Sequence, residues 1–373
     1  MEHPDAVLDF EHRELIGFPN LSLYSPVCYA PHAAGIRIGC LVSDRVSTVY
    51  YAGRISHFLV CAILCIYALL TVPFGSKILF AILVNPMTLQ EMTSMSPDGI
   101  TIAIACALCA AVMNAAYADK ALKNRQLFFI AFLCAVLSQC KIVYVVLAAL
   151  VLLIPDNRIG SHRKAAIVKA GILLSALLLN LVWLRISADY LVGIEFRPGV
   201  NAAEQVLYIR NHPLIYCLVI IRTILDGAAQ MIGSMLGTAM GIYDIPVSGV
   251  VWCSFFGILA YTAFTERNVS ERAGKTDQRI LLFTAVSCIL LICTSLYIQW
   301  TEVGGDTIDG IQGRYFLPVL PVILLLISLR WNETERKNGN MHTFHLQPSY
   351  LLVILMTLDG IALIDICHHF GTL

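Results

Sequence analysis

The chain has 373 residues, 25 acidic and 25 basic, and a formal net charge of zero. Hydrophobic residues make up 58% and charged residues 13%, against about 25% charged in a soluble domain, so most of the chain is excluded from water and the protein is predicted to lie in a membrane. The balanced charge leaves no basic footprint, and nucleic acid is not expected as a partner.

In chain order, residues 1–47 come first and pose a problem of export. "MEHPDAVLDFEHRELIG" has neither a basic start nor an apolar stretch of the kind that exports a chain, yet this segment must lie outside if the helix after it ends inside at Lys77. The expectation is an extracytoplasmic N-terminal segment of a chain shortened at its start, with one or more helices missing. Residues 48–373 then read as one transmembrane domain. Apolar runs of about 20 residues, enough to cross some 30 Å of hydrocarbon, fall at 53–72, 98–117, 165–187, 247–265, 280–300, 315–330 and 349–367, with a weaker one at 77–89.

Lys and Arg mark the cytoplasmic side of short loops. They gather at Lys77, at Lys120, Lys123 and Arg125, at Arg158 to Lys169, at Arg267 to Arg279, and at Arg330 to Lys337. Loops 90–98 and 301–313 contain none and are expected outside. The run 127–154 has basic clusters on both flanks, so it must enter and return; at 1.5 Å per residue it covers only about 42 Å as α-helix, too little for two crossings. A pair of half-helices turning at "SQCK" (138–141) meets both constraints and sets Lys141 in the outer part of the bilayer. By the same reasoning 214–245 starts and ends outside, as a hairpin or an interfacial segment of the outer region 188–246.

Thirteen cysteines suggest metal or redox chemistry, and "CALC" (Cys106 to Cys109) has the spacing of a thiol pair. It sits in a run of Ala, Ile and Leu, where cysteine acts as a small apolar residue. "DICHHF" (365–370) reads as solvated side chains rather than a metal site. "GSMLGTAMG" (233–241) reads as a close-packing stripe within the chain. Matches to Asn-x-Ser/Thr at Asn20, Asn268 and Asn332 are uninformative.

Charge near hydrocarbon is costly and is usually kept for a task. Arg54, Asp98, Lys141 and Arg314 belong at one depth on the outer side and together predict a polar basin of mixed sign. The competing reading for Arg54 and Arg314 is that they snorkel to the interface as anchors. Arg314 lies where a Gly-rich loop meets an apolar helix. Gly310 and Gly313 would let that loop approach a ligand closely, and the planar guanidinium suits a phosphate at headgroup depth.

The pieces "YSPVCYAP" (24–31), "YYAGRI" (50–55), "NPM" followed by "SMSPD" (85–98), "SQCK", "NHP" (211–213) and "QGRYFLPVLP" (312–321) resemble a bacterial family of predicted membrane proteins catalogued as domain of unknown function 2142. The family is commonly grouped with the GT-C glycosyltransferases. The resemblance implies an all-α polytopic transmembrane bundle, GT-C-like, in the bacterial plasma membrane. Its partners would be membrane lipid, a polyprenyl-phosphate sugar donor and a glycan acceptor in cell-envelope polysaccharide assembly, with inverting transfer of the sugar. Asp98 is then the candidate base, with Asp306 and Asp309 behind it; Arg54, Lys141 and Arg314 are the phosphate cations; Tyr24, Gln312 and Tyr315 lie in the substrate loops. The family's acidic motif after a first helix has no convincing copy here, and the role is not carried to Asp5. No cofactor is called for; a divalent metal could assist, without ligands to name. A transporter or flippase of lipid-linked glycans, or a non-catalytic subunit that binds polyprenyl phosphate, are the alternatives.

Overall fold

The computed structural model describes residues 6–9, 11, 24–191, 198–241, 244–266, 273–338 and 346–371; Asp5, Asn20 and Asn268 lie outside them. At the centre of the bundle is α5 (Asp98–Tyr117), of whose most apolar stretch 94% is buried inside the protein. Its Ala- and Cys-rich sequence offers small side chains on every face, so neighbours approach closely all round. Cys106 and Cys109 are part of that packing.

α1 (Ala30–Val42) folds back against the first half of α2 (Val46–Thr71). A methyl group on Gly35 would stand 2.3 Å from the Ala52 carbonyl oxygen, and one on Gly39 2.9 Å from the Val49 Cα, so glycine permits this pairing. After α2 the weak run predicted at 77–89 folds as two short helices, α3 (Ser76–Leu83) and α4 (Pro86–Thr93). Pro86 brings no backbone N–H and forbids continuation of α3, while the Asn85 side chain accepts from the Met87 N–H at 2.8 Å and starts α4 afresh.

The hairpin expected at 127–154 is present. Its first arm is α6 (Asn124–Cys140) and its second, Ile142–Leu153, is a 3₁₀-helix. At about 2.0 Å per residue a 3₁₀-helix reaches further than an α-helix, so 12 residues span roughly 24 Å. The arms are therefore deeper than half-helices: Lys141 at the turn meets Asp98 in the first turn of α5, and beyond the far end Arg158 in the single turn α7 (Asp156–Ile159) donates to the carbonyls of Ala118 and Lys120 just past the last turn of α5.

The chain continues through α8 (His162–Leu191), α9 (Ala202–Asn211), α10 (Pro213–Met235), a two-stranded hairpin of β1 (Ala239–Met240) and β2 (Ile245–Pro246), α11 (Gly249–Thr265), α12 (Lys275–Gln299), α13 (Leu320–Asn338) and α14 (Pro348–His369). Among the described residues six helices, α2, α5, α8, α10, α12 and α14, are long and apolar enough to cross a membrane. α10 qualifies by length and composition, but its contacts run along one end of the bundle. Tyr216 near its start pairs with Thr294 at 2.6 Å and stacks on Tyr297 in the last turns of α12, Thr223 in its middle accepts from the Ile308 N–H at 3.0 Å, and Ser234 near its end accepts from the Gly313 N–H at 3.1 Å. It lies along loop 300–313.

Two glycine readings change. Of "GSMLGTAMG" only Gly233 is helical; Gly237 and Gly241 have φ of 93° and 68° and make turns, so no helical stripe exists. The close approach that Gly313 allows is to α10, where an added methyl would lie 2.1 Å from the Met231 carbonyl oxygen, and not to a ligand.

Candidate functional site

Asp98 opens α5, where a carboxylate complements the helix dipole, and two cations from distant parts of the chain converge on it. Lys141 pairs with its Oδ1, and the Arg314 Nε stands 3.3 Å from its Oδ2. Arg314 also donates through Nη1 to the Glu91 Oε1 at 3.0 Å. Asp98 is 7% exposed, Lys141 8% and Glu91 1%. Two cations and two carboxylates sum to zero, which is how such charges survive away from water.

The hairpin turn holds Lys141 in place. Its ammonium lies 4.3 Å from the Tyr315 ring centroid and 5.4 Å from that of Tyr24, a cation–π sandwich, and the Tyr144 hydroxyl fixes Tyr315 by donating to its carbonyl at 2.7 Å. Breaking the helix at Cys140 frees backbone carbonyls. Asn180 of α8, fully buried, donates to two of them, Ser138 and Ile142, each at 3.1 Å.

The end of α4 is gripped in a similar way. Its orphaned carbonyls meet three side chains in succession: the His57 Nδ1 is 3.0 Å from the Met92 oxygen, Arg54 donates to Thr93, and the His32 Nε2 is 3.1 Å from the Ser94 oxygen. The two imidazoles stack with centroids 3.9 Å apart, and burial pushes the His32 pKa down, so that ring is neutral at pH 7. Gly99 makes room: a methyl there would be 2.4 Å from the Glu91 carbonyl oxygen and 2.7 Å from the His57 ring.

Beside this end lies a groove of about 840 Å³. Arg54, Glu91 and Arg314 give its lining charge; Asp359, Ala362, Leu363 and Ile366 of α14 also line it; Leu89, Met95, Met240 and Ile245 make much of the remainder apolar. Gln90 holds the β-hairpin beside it, accepting from the Gly241 N–H at 2.8 Å and donating to its carbonyl at 3.3 Å. The Glu91 Oε1 takes the Arg314 bond, and its Oε2 is buried. Burial and the neighbouring Asp98 charge raise the Glu91 pKa, against Arg314 and a hydrogen bond from the Ser96 side chain, which lower it.

Of the predicted site residues, Asp98, Lys141 and Arg314 are in contact, Tyr24 and Tyr315 pack on Lys141, and Arg54 shares the groove wall with Arg314. Asp98 and Lys141 stand behind Arg314 and do not line the groove. The Gln312 Oε1 is buried without a partner. Asp306 and Asp309 are exposed, Asp306 lying 4.0 Å from Arg222, and neither joins the cluster. Sequence reasoning missed Glu91, Asn180, His32, His57 and Asp359. Two signals were available: His57 follows Arg54 by three residues and so shares its helix face, and Asp359 interrupts an apolar run. Cys28 is near the cluster, but burial pushes its thiol up to about 12, and it serves packing.

The family model of a predicted membrane protein, DUF2142, matches residues 2–323. No curated protein and no solved structure matches the chain.

Proposed function

The chain belongs to the DUF2142 family of predicted membrane proteins, and from that premise we propose that it is a GT-C-like membrane glycosyltransferase that takes sugar from a polyprenyl-phosphate carrier at the outer membrane face in cell-envelope polysaccharide assembly. The observation that carries this reading is the amphiphilic groove: Arg54 and Arg314 in its lining, an apolar remainder, and Leu363 of α14 both lining it and exposed. Hydrocarbon can reach such a groove laterally, so a lipid chain can lie in it while its phosphate meets the arginines.

In the transfer, an acceptor hydroxyl attacks the anomeric carbon of the donor sugar, the bond from that carbon to the phosphate oxygen breaks, and polyprenyl phosphate departs with the electron pair. Arg54 and Arg314 stabilise the departing charge. Glu91 takes the acceptor's proton: it lines the groove, and its raised pKa makes it a stronger base than an ordinary carboxylate. Asp98, held by two cations, positions Arg314, and Lys141 balances Asp98.

The test is purified protein in vesicles with radiolabelled polyprenyl-phosphate hexoses and a glycan acceptor. Label transferred to the acceptor, and lost with Arg54→Ala or Arg314→Ala, supports the enzyme. Label moved across the bilayer with its phosphate bond intact would make the protein a transporter.

A further inference from the structure

α14 contributes a single ionisable side chain to the groove lining. Asp359 lies in the middle of an apolar helix, and its Oδ1 is buried with no hydrogen-bond partner. The other acid of α14, Asp365, is already engaged, accepting from the Ser248 N–H at 2.8 Å. Elsewhere in the lining, Arg314 is held by Glu91 and Asp98, and Arg54 donates to the Thr93 carbonyl. An unpartnered carboxylate in a membrane helix is costly and is retained for a task.

A ligand that matches this lining brings two things: an anion for the arginines and hydrogen-bond donors for Asp359. A bare polyprenyl phosphate supplies only the first. A phosphate bearing a sugar supplies both, because each sugar hydroxyl donates a hydrogen bond and a carboxylate accepts it strongly. We propose that Asp359 binds the hydroxyl groups of the donor sugar in a glycosyl phosphate lipid whose phosphate lies on Arg54 and Arg314. This rests on reading the groove as a phosphate-lipid site, and it assigns recognition of the sugar to α14, which lies beyond the matched residues 2–323.

A second headgroup pairs a phosphate with donors, the ammonium of phosphatidylethanolamine, and the test separates the two. Wild-type protein and Asp359→Asn in lipid nanodiscs are titrated with polyprenyl phosphate, with a panel of polyprenyl-phosphate hexoses, and with phosphatidylethanolamine, by displacement of a fluorescent polyprenyl phosphate. The wild type should prefer at least one glycosylated lipid by about tenfold over the bare phosphate, the scale of a hydrogen bond to a charged group. The variant should lose that preference and bind bare polyprenyl phosphate as before. Equal wild-type affinity for bare and glycosylated lipids, a preference that survives in Asp359→Asn, or displacement by phosphatidylethanolamine as effective as by the glycosylated lipids would overturn the proposal and leave the phosphate site standing. Failure of the wild type to bind any polyprenyl phosphate would remove both. The wild-type ratio decides even if the variant does not fold.

Discussion

The charged residues at the head of the bundle divide by what they touch. Lys141 touches a carboxylate and two aromatic rings and is nearly sealed from solvent. Lys141→Ala therefore leaves Asp98 with one cation in a buried site and should destabilise the protein by about 3 kcal/mol, read as a lower melting temperature in detergent. Asn180→Ala removes both hydrogen bonds to the hairpin turn and should cost about 1–3 kcal/mol; unchanged melting would show that the turn holds itself. Glu91 behaves differently because its folded pKa is raised above the ordinary value of 4.5. The protonated form is the better tolerated one, so its contribution to stability is full below pH 4.5 and is lost as pH rises through the folded value. Its service as a base runs the other way. Transfer activity should rise with pH through a midpoint above 4.5, and Glu91→Gln should abolish transfer and flatten the stability change over that window.

At the scale of elements, the α4–α5 corner and the hairpin turn are two broken helices brought together, and each leaves carbonyls for side chains on α1, α2 and α8 to satisfy. The hairpin was legible from its basic flanks and its length. Its 3₁₀ arm was not, because the number of residues that must span a given depth is set by the neighbours. The division of 77–89 was foreshadowed by "NP", yet the role of the second piece in carrying Glu91 depends on where α5 lies. α10 shows the opposite case: apolarity and length alone make it a candidate span, and only the tertiary structure lays it along loop 300–313. Gly313→Ala places a methyl against the α10 backbone and should cost about 1–3 kcal/mol through overpacking. Melting temperature gives the cost, and faster thiol labelling of the exposed Cys217 on α10 would report its loosening.

At the scale of the whole molecule, the described residues divide by end: the basic loops around Lys120 and Arg158 at one, the groove with loops 90–98 and 301–313 at the other. If the basic end is cytoplasmic, a cysteine introduced by Glu302→Cys should react with a membrane-impermeant thiol reagent on intact cells, and one introduced by Lys123→Cys only after lysis; the reverse pattern would invert the orientation and move the groove inside. The sequence by itself determined that the chain lives in a membrane, nearly where each helix runs, and that Arg54, Asp98, Lys141 and Arg314 share a depth, because hydrocarbon thickness and charge cost act on local composition. Only the tertiary structure decided which charge answers which. Partners such as Arg314 and Glu91 are 223 residues apart in sequence, and whether a carboxylate neutralises a cation, waits in a groove or faces water depends on side chains that three-dimensional packing brings beside it.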